Sequence, residues 1–254
     1  MMENHDRRDA QTQFGFRRVI ESEKDQLVER VFKSVAENYD LMNDLMSFGV
    51  HRVWKRLAVL HLGVRHNSSV LDVACGTADI SLAIAKKRGP SGRLVLTDIN
   101  SSMLRLGRNR MLDHGHLARF SYVQSDAENL AFAEGIFDRV IISFGLRNVT
   151  RISQALESMY WVMRPGSRLL VLEFSKPVIP LLEKIYHEYS FRVIPAIGQI
   201  VARDRDSYQY LVESIRQHPD QDTLADMMAQ AGFERVEYFN LTGGIVAMHV
   251  AWKL

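Results

Sequence analysis

A short run of β-formers, Ser69-Val70-Leu71-Asp72-Val73, stops abruptly at Ala74, Cys75 and Gly76, and a helix-like pattern begins at Asp79. Strand, tight turn and helix start thus follow one another directly. Such a unit sets backbone N–H groups and a helix N-terminus at the carboxyl edge of a sheet, where open α/β folds bind ligands. Twenty-six residues after Asp72, a second apolar run, Arg93 to Thr97, ends in Asp98. A carboxylate there can accept hydrogen bonds from a ribose diol. The pair of strand ends reads as a nucleoside pocket, and the rest of the chain as its support, its lid or a substrate wall.

The order of elements agrees. Residues 1–13 are polar and charged, and residues 1–22 read as a flexible, solvated tail. Residues 23–66 read as a helical cap: Val28, Val31, Phe32, Val35 and Tyr39 recur at three- and four-residue spacing. Strands are expected at about 69–74, 93–98, 119–124, 138–144 and 168–174. Helices are expected at about 79–87, from Ser101 (capped by Ser101 or Ser102), and at 150–163, where Arg164-Pro165-Gly166 ends the last one. The first, fourth and fifth strands are nearly continuous apolar runs, as parallel strands buried on both faces require. An insertion follows at 178–218. In it, Leu182, Ile185, Tyr186, Tyr189 and Val193 form one stripe of an amphipathic helix expected to end near Pro195. A helix at about 221–231 and two strands at 235–241 and 245–252, around Thr242-Gly243-Gly244, close the chain as a hairpin with an antiparallel last strand. We therefore expect one α/β domain over 23–254, with a mostly parallel sheet covered by helices on both faces.

Bulk properties narrow the function. The 254 residues are 46% hydrophobic and 24% charged, with a formal net charge of +2, which is ordinary globular composition. No segment is polybasic, so a nucleic acid partner is not expected. The single cysteine, Cys75, excludes an intrachain disulfide and suits a reducing cytoplasm. It reads as a small buried residue. No apolar stretch approaches the roughly 20 residues of a membrane span. No His/Cys/Asp cluster has metal-ligand spacing, so no metal is expected.

The binding residues follow from position. Gly76 lies in the first turn, Asp98 ends the second strand, and Asp126 follows the third, placed to accept from an adenine amino group. Ser143, near the end of the fourth strand, falls in the same crevice. Each aspartate has an alternative role as a cap for the helix or turn that follows it. Two aspartates at corresponding strand ends favour a ligand.

This combination resembles the ubiquinone/menaquinone biosynthesis C-methyltransferases from about Val31 to Lys253. The distinctive stretches are Val31 to Asp44, His51-Arg52-Val53-Trp54-Lys55, Phe144-Gly145-Leu146-Arg147-Asn148-Val149, Leu172-Glu173-Phe174-Ser175, Asp206 to Leu211 and Asn240 to Ala247. The resemblance implies a class I, Rossmann-like fold dependent on S-adenosylmethionine (SAM), with seven strands and an antiparallel last strand. It implies that Thr77, Asp98, Asp126, Ala127 and Ser143 hold SAM. The implied reaction is methylation of a ring carbon of polyprenylated quinols in both quinone routes. Peripheral contact at the inner membrane face, a quinone-biosynthesis complex and a homo-oligomer are compatible with that substrate. An O-methyltransferase for another small phenol, or a non-catalytic scaffold, are the rival readings. Where the family usually has Gly-Gly-Thr-Gly-Asp, this chain has Cys75-Gly76-Thr77-Ala78-Asp79. We expect Ala78 inside the helix, where alanine is harmless; a positive φ there would cost about 1–2 kcal/mol.

C-methylation requires a ring carbon made nucleophilic by loss of a phenolic proton. It also requires fixed donors for the phenolate. Arg147 and Asn148, directly after the fourth strand, are suitable donors. Arginine stays protonated in proteins, so Arg147 cannot itself be the base; it can polarise a water or stabilise the phenolate. Its alternative role is a structural pair with an acid such as Asp44. Tyr208, with Asp204 or Asp206, is a further candidate for the pocket wall or base. Tyr39, Asn43, His51 and Arg52 are expected in the lid, and Met42 to Met46 as core or a pliable wall for an isoprenoid tail.

Overall fold

The computed structural model describes residues 10–35, 43–44, 47, 49–87, 92–116, 120–201 and 204–254. The lid residue Tyr39 and most of the Met42 to Met46 stretch lie outside them. In chain order the elements are β1 (Gln11–Phe14), β2 (Arg17–Ile20), α1 (Glu21–Val35), α2 (His51–Leu62), β3 (Ser69–Val73), α3 (Asp79–Ala85), β4 (Arg93–Asp98), α4 (Ser101–Asp113), β5 (Phe120–Gln124) and β6 (Phe137–Ser143). There follow α5 (Ile152–Val162), β7 (Met163–Phe174), α6 (Pro180–Glu188), α7 (Ile194–Val201), α8 (Arg205–Gln217), α9 (Gln221–Gln230), β8 (Glu234–Leu241) and β9 (Val246–Lys253). The chain divides into two compact units, Met1–His51 with Pro177–His218 and Arg52–Lys176 with Pro219–Leu254.

The larger unit is a sheet whose seven strands, among the described residues, run in the order β5-β4-β3-β6-β7-β9-β8. β5, β4, β3, β6 and β7 are parallel neighbours. β9 runs antiparallel between β7 and β8, as the Thr242-Gly243-Gly244 turn requires. The chain winds outward in opposite directions from β3, with β4 on one side and β6 on the other. The crevice at that reversal is where doubly wound sheets place their ligands. The central strands are apolar because both faces are covered: every residue of β3 is buried, and Val140, Ile141, Ile142 and Leu169 to Leu172 are fully buried. Each such side chain contributes about 1.5–3 kcal/mol of apolar burial. Asp138 fixes the register at the far edge, where its Oδ2 accepts from the Ser69 N–H at 2.7 Å.

The smaller unit departs from expectation in two places. Residues 11–20, expected as tail, pair as an antiparallel hairpin with Phe14 opposite Arg17. Gly15 supplies the positive φ of 57° in its two-residue loop. The hairpin is held by a stack of Phe14 on Tyr210 of α8, centroids 4.0 Å apart, and by the Phe16 N–H donating to Glu213 at 2.9 Å. The insertion helix also does not end at Pro195. A π turn over Tyr189–Val193 joins α6 to α7. A mid-helix proline clashes with the carbonyl four residues earlier, here Phe191; the wider turn containing Phe191 makes room for it. Of the expected stripe, Tyr186 is buried, while Ile185 and Val193 are exposed. Among the described residues no helix is long and apolar enough to cross a membrane.

Candidate active site

The site begins at the end of β3. Ala74, Gly76 and Ala78 have φ values of 51°, 53° and 65°, so the turn is left-handed at alternate positions and only one of the three is glycine. Ala78 therefore caps α3 in the left-handed region and is not its first helical residue. The steric cost of about 1–2 kcal/mol applies. Ala78→Gly is expected to raise stability by up to about 1 kcal/mol, the relief being partly offset by the greater freedom of glycine in the unfolded chain. That is a rise of about 2–4 °C in Tm, measurable by calorimetry; a lower Tm would show that the buried Ala78 methyl outweighs the strain. α4 presses on the same turn at a glycine: a Cβ on Gly107 would lie 2.8 Å from the Gly76 carbonyl oxygen.

Asp98, at the end of β4, is bound into this turn. Its Oδ2 accepts from the Gly76 N–H and its Oδ1 from the Asn100 N–H, both at 2.9 Å. Burial pushes its pKa up to about 6, against these two backbone bonds. Asn100, not Ser101 or Ser102, caps α4: its Oδ1 accepts from the Ser102 and Met103 N–H groups. Asp98 is thus free of the capping role. Asp72 sits one strand inward, fully buried, and accepts from the Ser81 hydroxyl at 2.6 Å. Burial, with the charge of Asp98 adding to it, raises its pKa to about 7, against Ser81 and Lys55. Cys75 is buried and its thiol pKa is driven well above the ordinary value by burial and then by Asp98 and Asp72, which fits an inert small residue.

Charges lock the opening of α3. Asp79 accepts from Lys55 of α2 at 2.7 Å and from Arg110 of α4 at 2.8 Å, and Arg110 also reaches the Thr77 hydroxyl at 3.4 Å. Asp126 follows β5; its Oδ1 accepts from the Glu128 N–H at 2.9 Å, and the neighbouring Ser125 N–H donates to the Asp98 carbonyl. Ala127 is buried in the core.

β6 ends at Ser143, whose buried Oγ has no partner among the described residues. Phe144 then turns left-handed, with φ 56°. Gly145 packs so closely on β3 that a Cβ there would lie 2.6 Å from that of Ala74. A single 3₁₀ turn, Leu146–Asn148, carries Arg147 and Asn148. Arg147 is buried, and its acid is Glu173 of β7, at 2.8 Å. Asp44, the partner offered by the sequence, instead meets the buried His51 at 2.9 Å. Trp54 of α2 packs against Phe144 and Phe174 and donates to the Thr242 hydroxyl at 2.9 Å. This ties α2 to the closing hairpin.

Tyr208 lies in the smaller unit. It is fully buried on α8, its hydroxyl has no partner among the described residues, and Gly198 packs against its ring. Burial, then Asp204, raises its pKa. Asp204 caps α8 through the Ser207 N–H at 3.0 Å. Burial raises its pKa, but hydrogen bonds from Ser34 and Ser207 outweigh that and hold it below the usual value, which is unfavourable for a base. Asp206 is exposed in the first turn of α8.

Residues 20–253 match the ubiE/COQ5 methyltransferase family. The chain is 56% identical over 242 residues to the ubiquinone/menaquinone biosynthesis C-methyltransferase UbiE of Proteus mirabilis, covering 95% of this chain and 96% of that one. Identity and coverage are the same for UbiE of Yersinia pestis. The chain belongs to the ubiE/COQ5 methyltransferase family. Solved structures share the fold at low identity. A SAM-dependent methyltransferase from Aquifex aeolicus aligns with TM-score 0.62 at 16% identity, over 87% of this chain and 98% of that one. A putative methyltransferase from Haloferax volcanii, solved in complex with the methyltransferase activator Trm112, aligns with TM-score 0.64 at 14% identity, over 89% and 97%.

A ubiE/COQ5 enzyme needs a place for SAM, and the residues at this strand edge fit it. Asp98 uses one backbone N–H per oxygen and keeps a lone pair on each. Ser143 carries an orphaned buried hydroxyl. The turn around Gly76 presents backbone with little side chain. Four residues packed around this strand edge have no local signal in the sequence: Asp72, Glu173, and the Lys55–Arg110 pair on Asp79 become visible only when β7, α2 and α4 are brought to β3.

Proposed function

We propose that this chain transfers the methyl group of SAM to a ring carbon of polyprenylated quinols. It converts demethylmenaquinol to menaquinol, and 2-methoxy-6-polyprenyl-1,4-benzoquinol to its 5-methyl derivative. The observation that carries the reading is the 56% identity to curated UbiE enzymes across nearly the full length of both chains, together with an Arg-Asn turn at the carboxyl end of β6.

SAM, when bound, supplies a methyl group already activated on a sulfonium. The protein's own task is binding, orientation and proton management. Asp98 takes the ribose hydroxyls, Asp126 and Ala127 the adenine edge, and Thr77, Gly76 and Ser143 line the remainder. Arg147 and Asn148 present donors to the phenolate oxygen, where charge develops as the ring carbon becomes nucleophilic. By stabilising the phenolate, Arg147 lowers the cost of releasing the phenolic proton to solvent. Holding ring carbon and methyl in line supplies much of the remaining acceleration. The enzyme works in the cytoplasm and meets its lipid substrate at a membrane surface. The exposed Val178, Ile179, Leu181 and Ile185 around the start of α6 support that contact.

The test is incubation of the purified protein with methyl-labelled SAM, a short-chain methoxybenzoquinol and a short-chain demethylmenaquinol under reducing conditions, with products read by mass spectrometry. Label on a ring carbon of both quinols is the expected result. Label on oxygen, or none on either despite measurable SAM binding, overturns the reading.

A further inference from the structure

Glu173 is a buried carboxylate at the penultimate position of β7, 2% exposed, and both its oxygens bond the residue that carries the proposed phenolate donors. Its Oε1 accepts from Arg147 Nη1 at 2.8 Å and from the Phe174 N–H at 2.9 Å. Its Oε2 accepts from the Arg147 backbone N–H at 3.2 Å. Arg147 Nη1 also donates to the Phe144 carbonyl, and the guanidinium lies over the Phe174 ring, 5.5 Å from its centroid. One carboxylate therefore grips Arg147 by both its backbone and its side chain. Through Arg147 it holds the left-handed Phe144 that follows Ser143.

Stability does not account for this arrangement. Both side chains are almost fully buried, 3% and 2% exposed. Buried ion pairs are often matched or bettered by apolar pairs of similar volume, because desolvation offsets their attraction. The pair does fix geometry. Two contacts consume Nη1, the ring of Phe174 packs along the guanidinium, and Nε–H remains a buried donor with no partner among the described residues. An orphaned buried N–H on a cation is costly unless a ligand completes it.

We infer that Glu173 is a positioning residue for methyl transfer. It presents Arg147 with one guanidinium edge occupied and the Nε–H unspent, as the donor for the oxygen anion of a phenolate substrate. The inference rests on the proposed function and adds to it a residue that acts through Arg147 and does not touch the substrate.

The experiment compares wild type, Glu173→Gln, Arg147→Gln and the double variant, with SAM affinity by calorimetry, Tm, and kcat and KM for the two short-chain quinols. Glu173→Gln is expected to keep SAM affinity within about twofold and to lower kcat at least tenfold, with a smaller change in KM, because the loss falls on stabilisation of the developing charge. The double variant, which leaves no buried charge unpaired, is expected to fold and to be no slower than Arg147→Gln alone. Should Glu173→Gln fold poorly, the comparison of the double variant with Arg147→Gln still decides. Losses that multiply in the double variant, or wild-type kcat in Glu173→Gln, overturn the inference. An inactive wild type would overturn the proposed function instead, so the two failures are distinguishable.

Discussion

Asp98→Asn is expected to weaken SAM binding by about 10²- to 10⁴-fold while the sheet stays folded. Each ribose hydroxyl bonded to the ionised carboxylate contributes roughly 1.5–3 kcal/mol. An amide at this position presents only one acceptor, which the Gly76 and Asn100 N–H groups already contest. The same residue gives a pH signature. Burial raises the Asp98 pKa to about 6, and the acceptor form is the carboxylate. Affinity of the wild type should therefore be flat above pH 7 and fall about tenfold per pH unit below 6. Asp98→Asn, with no proton to gain, should show weak binding without that slope. Titration calorimetry from pH 5 to 8 on both proteins makes the comparison. Wild-type affinity in the variant would remove Asp98 from the ribose site.

The parts of this molecule that could be read in advance are those whose signals are local and periodic. Buried parallel strands must be apolar along their whole length, so β3, β6 and β7 are visible as runs. The Thr242-Gly243-Gly244 turn announces the antiparallel β9. The parts that escaped depend on contacts distant in sequence, or on residues that contradict their own propensity. Ala78 is a good helix former held at φ 65°, and only a glycine would have marked that position. Pro195 normally ends a helix, and here a π turn removes its clash. The hairpin at 11–20 is polar on its outer face, so Phe14, the residue that anchors it on Tyr210, looks isolated in the sequence. Glu173 reads as one more residue of an apolar strand end until the 3₁₀ turn of β6 is laid beside it.

Two of these positions, Ala78 and Glu173, lie at the strand ends where the proposed site is built. Ala74, Ala78 and Phe144 are non-glycine residues in left-handed backbone, all at the carboxyl ends of β3 and β6. Backbone strain of this kind persists only where the surroundings over-determine it. The surroundings here are Gly145 on Ala74, Gly107 on the Gly76 turn, and the Arg147–Glu173 pair on Phe144. Positions that sacrifice stability in this way are where local rules should fail and functional sites be sought.

Asp72 sacrifices the most, and Asp72→Asn is accordingly expected to stabilise the protein at pH 8, by at most about 4 kcal/mol, the cost of ionising the buried carboxyl. Its pKa is raised from 3.8 to about 7, chiefly by burial, a shift of about three units at roughly 1.4 kcal/mol each. The folded state holds a proton that the unfolded state has lost between about pH 4 and 7. Stability therefore falls as pH rises through that window and is level above it. Wild-type stability should drop by about 2 kcal/mol between pH 5.5 and 8, and Asp72→Asn should flatten that drop. The Ser81 hydroxyl, which donates to Asp72 at 2.6 Å, finds an acceptor in the asparagine carbonyl as well, whereas the asparagine NH2 is a new buried donor, and each unmet hydrogen subtracts about 1–3 kcal/mol from the gain. Urea denaturation at the two pH values measures both quantities. A variant no more stable than wild type at pH 8 would mean that Lys55 and Ser81 already compensate the buried charge. If the stabilised variant also binds SAM less tightly, the carboxylate is retained for the ligand, at the expense of the fold.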